Sequence, residues 1–432
     1  MKKIGIVGPM SEINFGDYAM FINNVYDLKE IDNIEIVMFS YNKNFSDRIV
    51  EEYLKNLEIK ITNIEVKLKR DSNKYFEINI EKKIRVGFQE FNFPTITPID
   101  ILLNTENYTE ILEELKTIDV LLVNGGGYFN HLWNNSIWRS DMLKKIISPI
   151  LIANQLNKKI YFSGNGYGPF DQSEEFFNYI FNYLRNVKYG VRDRLYSPKY
   201  LEKLGIEKEK IKFIPDDLLL LNKNILKNKI KNFDIKVKDK YILMELYYPL
   251  EEIKEYKNII KEFCKNIYEN YGLKVLFVPF DFERGGMWQK DLLKEEIPEL
   301  LDYDLTKIGF LPIQDLVQMV KNAELVICNR YHALVFSLAL KTPVVNIMKK
   351  VCDDYRYYFN KNYGLLEYIF SGLIFNELDF LNLDLKETLI KVQKELSDII
   401  KRQKELYNSE EYCLNIKKLA NIRKGYLEEI LN

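Results

Sequence analysis

The chain has 432 residues, 47% hydrophobic and 29% charged, with a formal net charge of −1. That length exceeds one ordinary core and predicts about two domains of a soluble, globular protein. The near-neutral charge excludes a broad electrostatic footprint for nucleic acid, and no apolar run is long enough to predict a membrane span.

The segment Met1–Gly8 carries two lysines, but its apolar run is too short for a signal peptide and predicts a first buried strand. From there, short apolar runs ending in Gly, Asn or Asp alternate with longer amphipathic stretches. This is the pattern of parallel sheets with crossover helices. Strands are predicted at Lys3–Val7, Ile34–Phe39, Val120–Val123, Lys159–Phe162, Lys188–Val191 and Lys212–Ile214. Helices are predicted at Asp17–Leu28, Ser46–Asn56, Asn107–Thr117, Ser140–Leu156, Ser173–Arg185 and Tyr196–Leu204. Residues 59–103 break the rhythm, and alternating segments at Tyr75–Ile80 and Arg85–Phe91 predict a β-rich insertion there.

The lysine- and asparagine-rich stretch 222–238 is the linker candidate, after which the pattern restarts. Strands are predicted at Tyr241–Met244, Lys274–Val278, Leu325–Cys328 and Pro343–Ile347, with helices at Ile253–Tyr271, Gln289–Ile297, Pro312–Asn322 and His332–Leu340. Beyond Glu377 runs a charged amphipathic tail with heptad-like spacing in Leu385, Ile390, Val392, Leu396, Ile399 and Ile400, expected to cap the domains. The expected organisation is α/β: a Rossmann-like domain at 1–221, a linker at 222–238, a second Rossmann-like domain at 239–377 and a helical tail at 378–432. The two mostly parallel sheets are expected to face a central cleft. The cysteines at 264, 328, 352 and 413 have no C-x-x-C spacing, so neither a zinc site nor a disulfide framework is expected. Thiols in a reducing, cytoplasmic setting fit that usage.

Candidate functional residues fall at predicted strand ends, where open α/β sheets bind ligands. Asn14-Phe15-Gly16-Asp17 offers a tight turn and a capping carboxylate that could also serve as a base, while the G-x-G-x-x-G fingerprint is absent. Asn124-Gly125-Gly126-Gly127 follows a buried strand, and three glycines let a loop approach a ligand and present N–H groups to an anion. His131, among Tyr128, Phe129, Leu132 and Trp133, reads as an ordinary loop histidine. Gly166, in Ser163–Pro169, belongs either to a ligand loop or to a tight turn. Arg192 and Arg194 place two of only 12 arginines at another strand end, and Arg192, nearer the strand, is the candidate for bidentate binding of phosphate or carboxylate. Pro215-Asp216-Asp217 closes the domain, and an aspartate there either orients an arginine or makes a turn.

Histidine occurs only at 131 and 332, which makes Arg330-Tyr331-His332 at a strand-to-helix junction conspicuous. It pairs a fixed cation with a group that exchanges protons near neutral pH. A helix starting there adds a positive end, and Lys349 and Lys350 add charge at the same rim. Asp281–Gly286 is a weaker candidate.

In order, Asn14–Ala19, Asn124–Gly127, Gly164–Pro169, Arg192–Ser197, Pro215-Asp216 and Arg330–His332 resemble the motifs of the polysaccharide pyruvyl transferase family, over roughly residues 1–370. The resemblance implies a GT-B-like enzyme that moves a pyruvyl group from phosphoenolpyruvate to a sugar as a ketal. The first domain is then the acceptor side and the second the donor side. It implies donor contacts from Arg192, Arg330, Tyr331 and His332, and an acceptor that is a carrier-linked sugar or oligosaccharide of a cell-surface polysaccharide. Tyr331 stands where a leucine is common, and Glu245-Leu246-Tyr247 where a small residue and an arginine are frequent.

Chemically, His332 is the candidate acid or phosphate ligand, Arg330 and Arg192 the anion holders, and Asp17 the base. Asn14, Gly16, Asn124, Gly125, Gly126, Gly127, Gly166 and Lys350 are further substrate-binding candidates. The alternatives are a GT-B glycosyltransferase or sugar-nucleotide epimerase, and a non-catalytic sugar- or partner-binding scaffold that docks through its tail. Peripheral contact with a membrane-bound acceptor and homo-oligomerisation are both compatible with the composition. No cofactor and no metal are expected, so activity should survive a chelator; loss of turnover restored by added metal would contradict this.

Overall fold

The computed structural model describes residues 1–10, 14–69, 96–136, 139–227, 237, 239–280, 286–297, 300–301, 310–351 and 353–432. Packing divides the chain into two compact units. One comprises Met1–Met10, Asn24–Pro215 and Arg423–Asn432; the other comprises Ser11–Asn23 and Asp216–Ile422. This division is not linear. The helix Phe15–Ile31 is shared after Asn23, and the final helix Glu410–Leu431 after Ile422.

The first unit is built on β1 (Lys2–Val7), β2 (Ile34–Ser40), β3 (Ile61–Glu65), β4 (Val120–Val123), β5 (Gly126–Phe129), β6 (Lys159–Phe162), β7 (Asn165–Tyr167), β8 (Val187–Val191) and β9 (Ile211–Phe213). Their order is β3-β2-β1-β4-β6-β8-β7-β5, with β9 beside β8, and the named strands pair in parallel. Strand order reverses between β1 and β4, which makes their carboxyl ends the topological switch point. Val120-Leu121-Leu122-Val123 is buried throughout, as a strand covered on both faces requires.

The region expected to open an insertion at 59 supplies β3 instead, paired with β2. Only Ile64 of this edge strand is buried, so the continuous apolar run that marks the central strands is missing. Further along, Thr97 and Asp100 form a capping box at the start of the helix Pro98–Asn104. Tyr75–Ile80 and Arg85–Phe91 lie outside the described residues.

The second unit contains β10 (Tyr241–Glu245), β11 (Lys274–Phe277), β12 (Leu300–Leu301), β13 (Leu325–Cys328), β14 (Val344–Ile347) and β15 (Leu381–Asn382), in the order β12-β11-β10-β13-β14-β15 and again parallel. Its switch point lies between β10 and β13. The start of the expected linker is packed within this unit: Asn222 and Ile225 are buried, and Gln314 Nε2 donates to the Ile225 carbonyl at 3.0 Å. A helix at Arg356–Ile369, not predicted from the sequence, also belongs here.

The tail forms the helices Leu385–Asn408 and Glu410–Leu431. Leu385, Leu389, Val392, Leu396 and Ile399 join the second unit's core with Ile260, Phe263 and Ile267. Ile390, expected on the same stripe, is 39% exposed, because the buried face follows the helical period through Leu389. Among the described residues no helix is long and apolar enough to cross a membrane. Leu396→Ala should therefore cost about 2–5 kcal/mol in urea unfolding, and Ile390→Ala far less. Equal small effects would contradict a core role for the tail.

Candidate active site

In the second unit, β13 runs into the helix Tyr331–Ala339, with Arg330 at its N-cap position and His332 in its first turn. The helix Phe15–Ile31 begins beside that turn. Asn14 Oδ1 accepts the Gly16 N–H at 3.1 Å, so Asn14 rather than Asp17 caps this helix. The Phe15 N–H donates to the Phe280 carbonyl at 3.0 Å. Its ring packs edge-on against Phe280 and Phe336, with centroids 5.5 and 5.2 Å away. Tyr18 donates to the Leu311 carbonyl at 2.5 Å. These contacts seat Gly16 against the His332 imidazole, so closely that a Cβ on Gly16 would lie 1.8 Å from Nδ1. The glycine of the first motif is thus demanded by the histidine of the last. Asp17, half-buried in the first helical turn, follows directly.

Arg330 is held from β10. The Glu245 carboxylate, 1% exposed, accepts the N–H groups of Asn329 and Arg330 through Oε2 at 3.0 and 2.8 Å. Its Oε1 lies 3.8 Å from Arg330 Nε. The guanidinium carbon sits 4.0 Å over the Tyr247 ring, a cation–π contact. Asn329 tightens the junction, accepting from the Tyr247 N–H at 2.9 Å and donating to the Ile347 carbonyl at 2.8 Å.

Lys349 lies 4.8 Å over the Tyr248 ring and 3.4 Å from Glu252; burial pushes its ammonium below the usual lysine range, and Glu252 opposes that. Lys350 follows, 5.5 Å over the Tyr355 ring. Lys361 sits 5.4 Å over Tyr331 and 4.1 Å over both Tyr357 and Tyr358. Sequence reasoning missed Glu245, Tyr247 and Lys361 as site builders. The signal available was the unusual Glu-Leu-Tyr after the first strand of this unit.

The first unit carries the other candidates. Arg192, 3% exposed at the end of β8, lies over Gly166, whose missing side chain makes room: a Cβ there would be 3.3 Å from Nε. Asp193 is structural. Its Oδ1 accepts the N–H groups of Leu195, Tyr196 and Ser197 at 3.1, 2.6 and 3.0 Å, and burial pushes its carboxyl up against those bonds. Arg194 lies 4.3 Å over the Phe213 ring.

Asn124 and Gly125 follow β4, but Gly126 and Gly127 are not loop residues. They open β5, which pairs with β7, so the expected glycine loop is half a parallel ladder. His131, expected in a loop, opens the short helix His131–Asn134, with its Nδ1 2.8 Å from the Pro169 carbonyl and 3.6 Å from Asp171. Asp216, in the second unit, accepts the Leu218 N–H at 3.0 Å in a turn. Asp281–Arg284 lie outside the described residues. Among the described residues no group of three His, Cys, Asp or Glu is placed to hold a metal.

Residues 14–348 match a family model described as polysaccharide pyruvyl transferase. No curated protein matches the sequence significantly. Among solved structures, UDP-GlcNAc 2-epimerase from Methanocaldococcus jannaschii aligns with a TM-score of 0.57 and 16% identity, covering 98% of this chain and 99% of that one. The Neisseria meningitidis UDP-GlcNAc 2-epimerase bound to UDP-GlcNAc gives 0.56 and 12%, covering 100% of both chains. The Anabaena protein HepE, in complex with UDP and glucose, gives 0.55 and 11%, also over 100% of both. These identities speak to the fold alone, which is GT-B-like.

Gly16→Ala is expected to displace the His332 ring and to move its imidazole NMR signals while leaving those of His131 in place. With two histidines in the chain, assignment is direct. Unmoved His332 signals would contradict the packing. Glu245→Ala removes the carboxylate acceptor of the Arg330 N–H, while the Asn329 N–H keeps the Glu245 carbonyl at 3.2 Å, and should cost about 1–3 kcal/mol of stability, read by denaturant unfolding.

Proposed function

Because the chain belongs to the polysaccharide pyruvyl transferase family, we propose that it transfers a pyruvyl group from phosphoenolpyruvate to two hydroxyls of a carrier-linked sugar, forming a ketal. The observation that carries this reading is the second unit's switch point. There a clamped arginine precedes a histidine seated against Gly16 at the start of a second helix. Phosphoenolpyruvate bears a phosphate and a carboxylate. Arg330, Lys349 and Lys350 offer cations of the same unit, and the N-termini of two helices favour anions. Tyr331, between Arg330 and His332, supports the segment with its buried ring.

Protonated His332 delivers its proton to the methylene carbon, and C2 gains oxocarbenium character. One sugar hydroxyl adds at C2 and passes its proton to Asp17. Phosphate then leaves, the second hydroxyl closes the ketal, and its proton accompanies the phosphate. The proton held by Asp17 restores the one given up by His332. The balance is phosphoenolpyruvate plus a diol giving a ketal plus phosphate, with no oxidation and hence no redox cofactor. Arg192 supplies an anion-binding position in the first unit, and Asn14, Asn124, Gly125, Gly126, Gly127 and Gly166 shape the substrate surfaces. A lipid-borne acceptor would require only peripheral membrane contact.

His332→Gln should lower turnover by about 10²–10⁴-fold, the usual contribution of a general acid, with phosphoenolpyruvate affinity largely kept. Arg330→Lys should mainly weaken that affinity, because a point charge replaces a planar fork. Phosphate release reads the turnover, and calorimetry and thermal shift read the affinity. Phosphoenolpyruvate should stabilise the wild type. A shift with UDP-GlcNAc and none with phosphoenolpyruvate would favour the epimerase reading instead.

A further inference from the structure

Residues Arg423–Asn432 pack in the first unit, and Arg423 links the end of the chain to the switch point of that unit. Its side chain is buried, and Nε and Nη2 lie 2.8 and 2.7 Å from Asp27 Oδ2. Nη2 also donates to Asn24 Oδ1 at 2.7 Å. A guanidinium has only donors, so Asn24 must turn its oxygen toward it. The Asn24 Nδ2 then donates to Asn124 Oδ1 at 2.5 Å. The Asn124 backbone is satisfied as well: its N–H meets the Val7 carbonyl at 2.7 Å, and its carbonyl accepts the Tyr128 hydroxyl at 2.6 Å. What remains is Asn124 Nδ2, a buried donor without a partner among the described residues.

The next strand end presents the complement. Asn165 Nδ2 donates to the Ser163 carbonyl at 3.2 Å, which leaves Oδ1 as a buried acceptor without a partner among the described residues. Both residues are 0% exposed. Asn165 is the register partner of Gly126, two residues after Asn124, so the amides follow the neighbouring strands β4 and β6. An unmatched buried donor and acceptor are costly, and such groups persist where something else completes them.

We infer that Asn124 and Asn165 form a subsite for a hydroxyl group of a sugar or related polyol, and that Arg423, acting through Asn24, sets its polarity. A hydroxyl both donates and accepts, so it matches the pair; an anion would match Asn124 and face the Asn165 oxygen unfavourably. Arg423 is a positioning residue. Without its guanidinium, Asn24 loses the donor that sets its amide orientation, and Asn124 can exchange its unpartnered donor for an acceptor. The subsite stands on contacts of the first unit and does not depend on the donor taken by the second.

The test uses full-length protein labelled with 15N at asparagine, with the side-chain signals assigned through Asn124→Asp and Asn165→Asp. It is titrated with millimolar galactose, glucose and N-acetylmannosamine, and separately with inorganic phosphate. At least one sugar should move both the Asn124 and Asn165 signals, and phosphate neither. No movement with any sugar, as a permanently buried water would give, overturns the subsite, and so does a response to phosphate alone. Asn24→Asp keeps an acceptor for Arg423 but loses the donor to Asn124, and Arg423→Lys keeps only the charge for Asp27. Each should move the Asn124 signal and weaken the responding sugar about tenfold, the loss of one good hydrogen bond. An Asn124 signal unchanged in both variants overturns the relay. Neither outcome requires phosphoenolpyruvate, so failure here and failure of the pyruvyl reading are separable.

Discussion

The contact on which the site depends is the His332 imidazole lying against the backbone of Gly16. It fixes the side chain that could move a proton at the point where two helices begin, and both helix N-termini bias that environment toward negative charge. No residue but glycine leaves room for the ring. The aromatic packing of Phe15 with Phe280 and Phe336, and the Asn14 cap, hold the glycine in place. Residues near the start of the chain therefore belong, by packing, to the unit that carries the histidine.

The same economy governs Arg330. One buried carboxylate, Glu245, orders two backbone N–H groups and stands beside the guanidinium, while Tyr247 supports the guanidinium face. Burying a carboxylate is costly unless such partners stand in for its water. The arrangement trades part of Arg330's field for a fixed direction, and a cation that must meet a planar carboxylate or a phosphate benefits from direction more than from charge alone.

Much of this was legible in the sequence, and for a physical reason. Central parallel strands are buried on both faces, so β4 and β13 stand out as uninterrupted apolar runs, and β1, β6 and β10 as apolar runs with charge only at one end. The edge strand β3 has no such run and was absorbed into the supposed insertion. Arg330, His332, Gly16 and Arg192 were picked out by scarcity and by their positions after strands. Their supports were not, because the Glu245 partners arise from the pairing of β10 with β13, which local periodicity does not encode. The roles of the glycines were also out of reach. Gly16 and Gly166 read as turn residues in one dimension, and only the fold shows that His332 and Arg192 occupy the space their side chains would need. The tail presented its stripe plainly except at Ile390, where heptad spacing was followed in place of the helical period.

The central claim is that this chain makes a pyruvyl ketal. The most direct measurement incubates the purified protein with phosphoenolpyruvate labelled in its three-carbon unit and a panel of carrier-linked sugars, and follows label and phosphate together. The account predicts label transferred to a sugar, in an acid-labile linkage, with one phosphate released for each group transferred. Phosphate release without labelled sugar, or epimerisation of a nucleotide sugar with the label left in phosphoenolpyruvate, would contradict it.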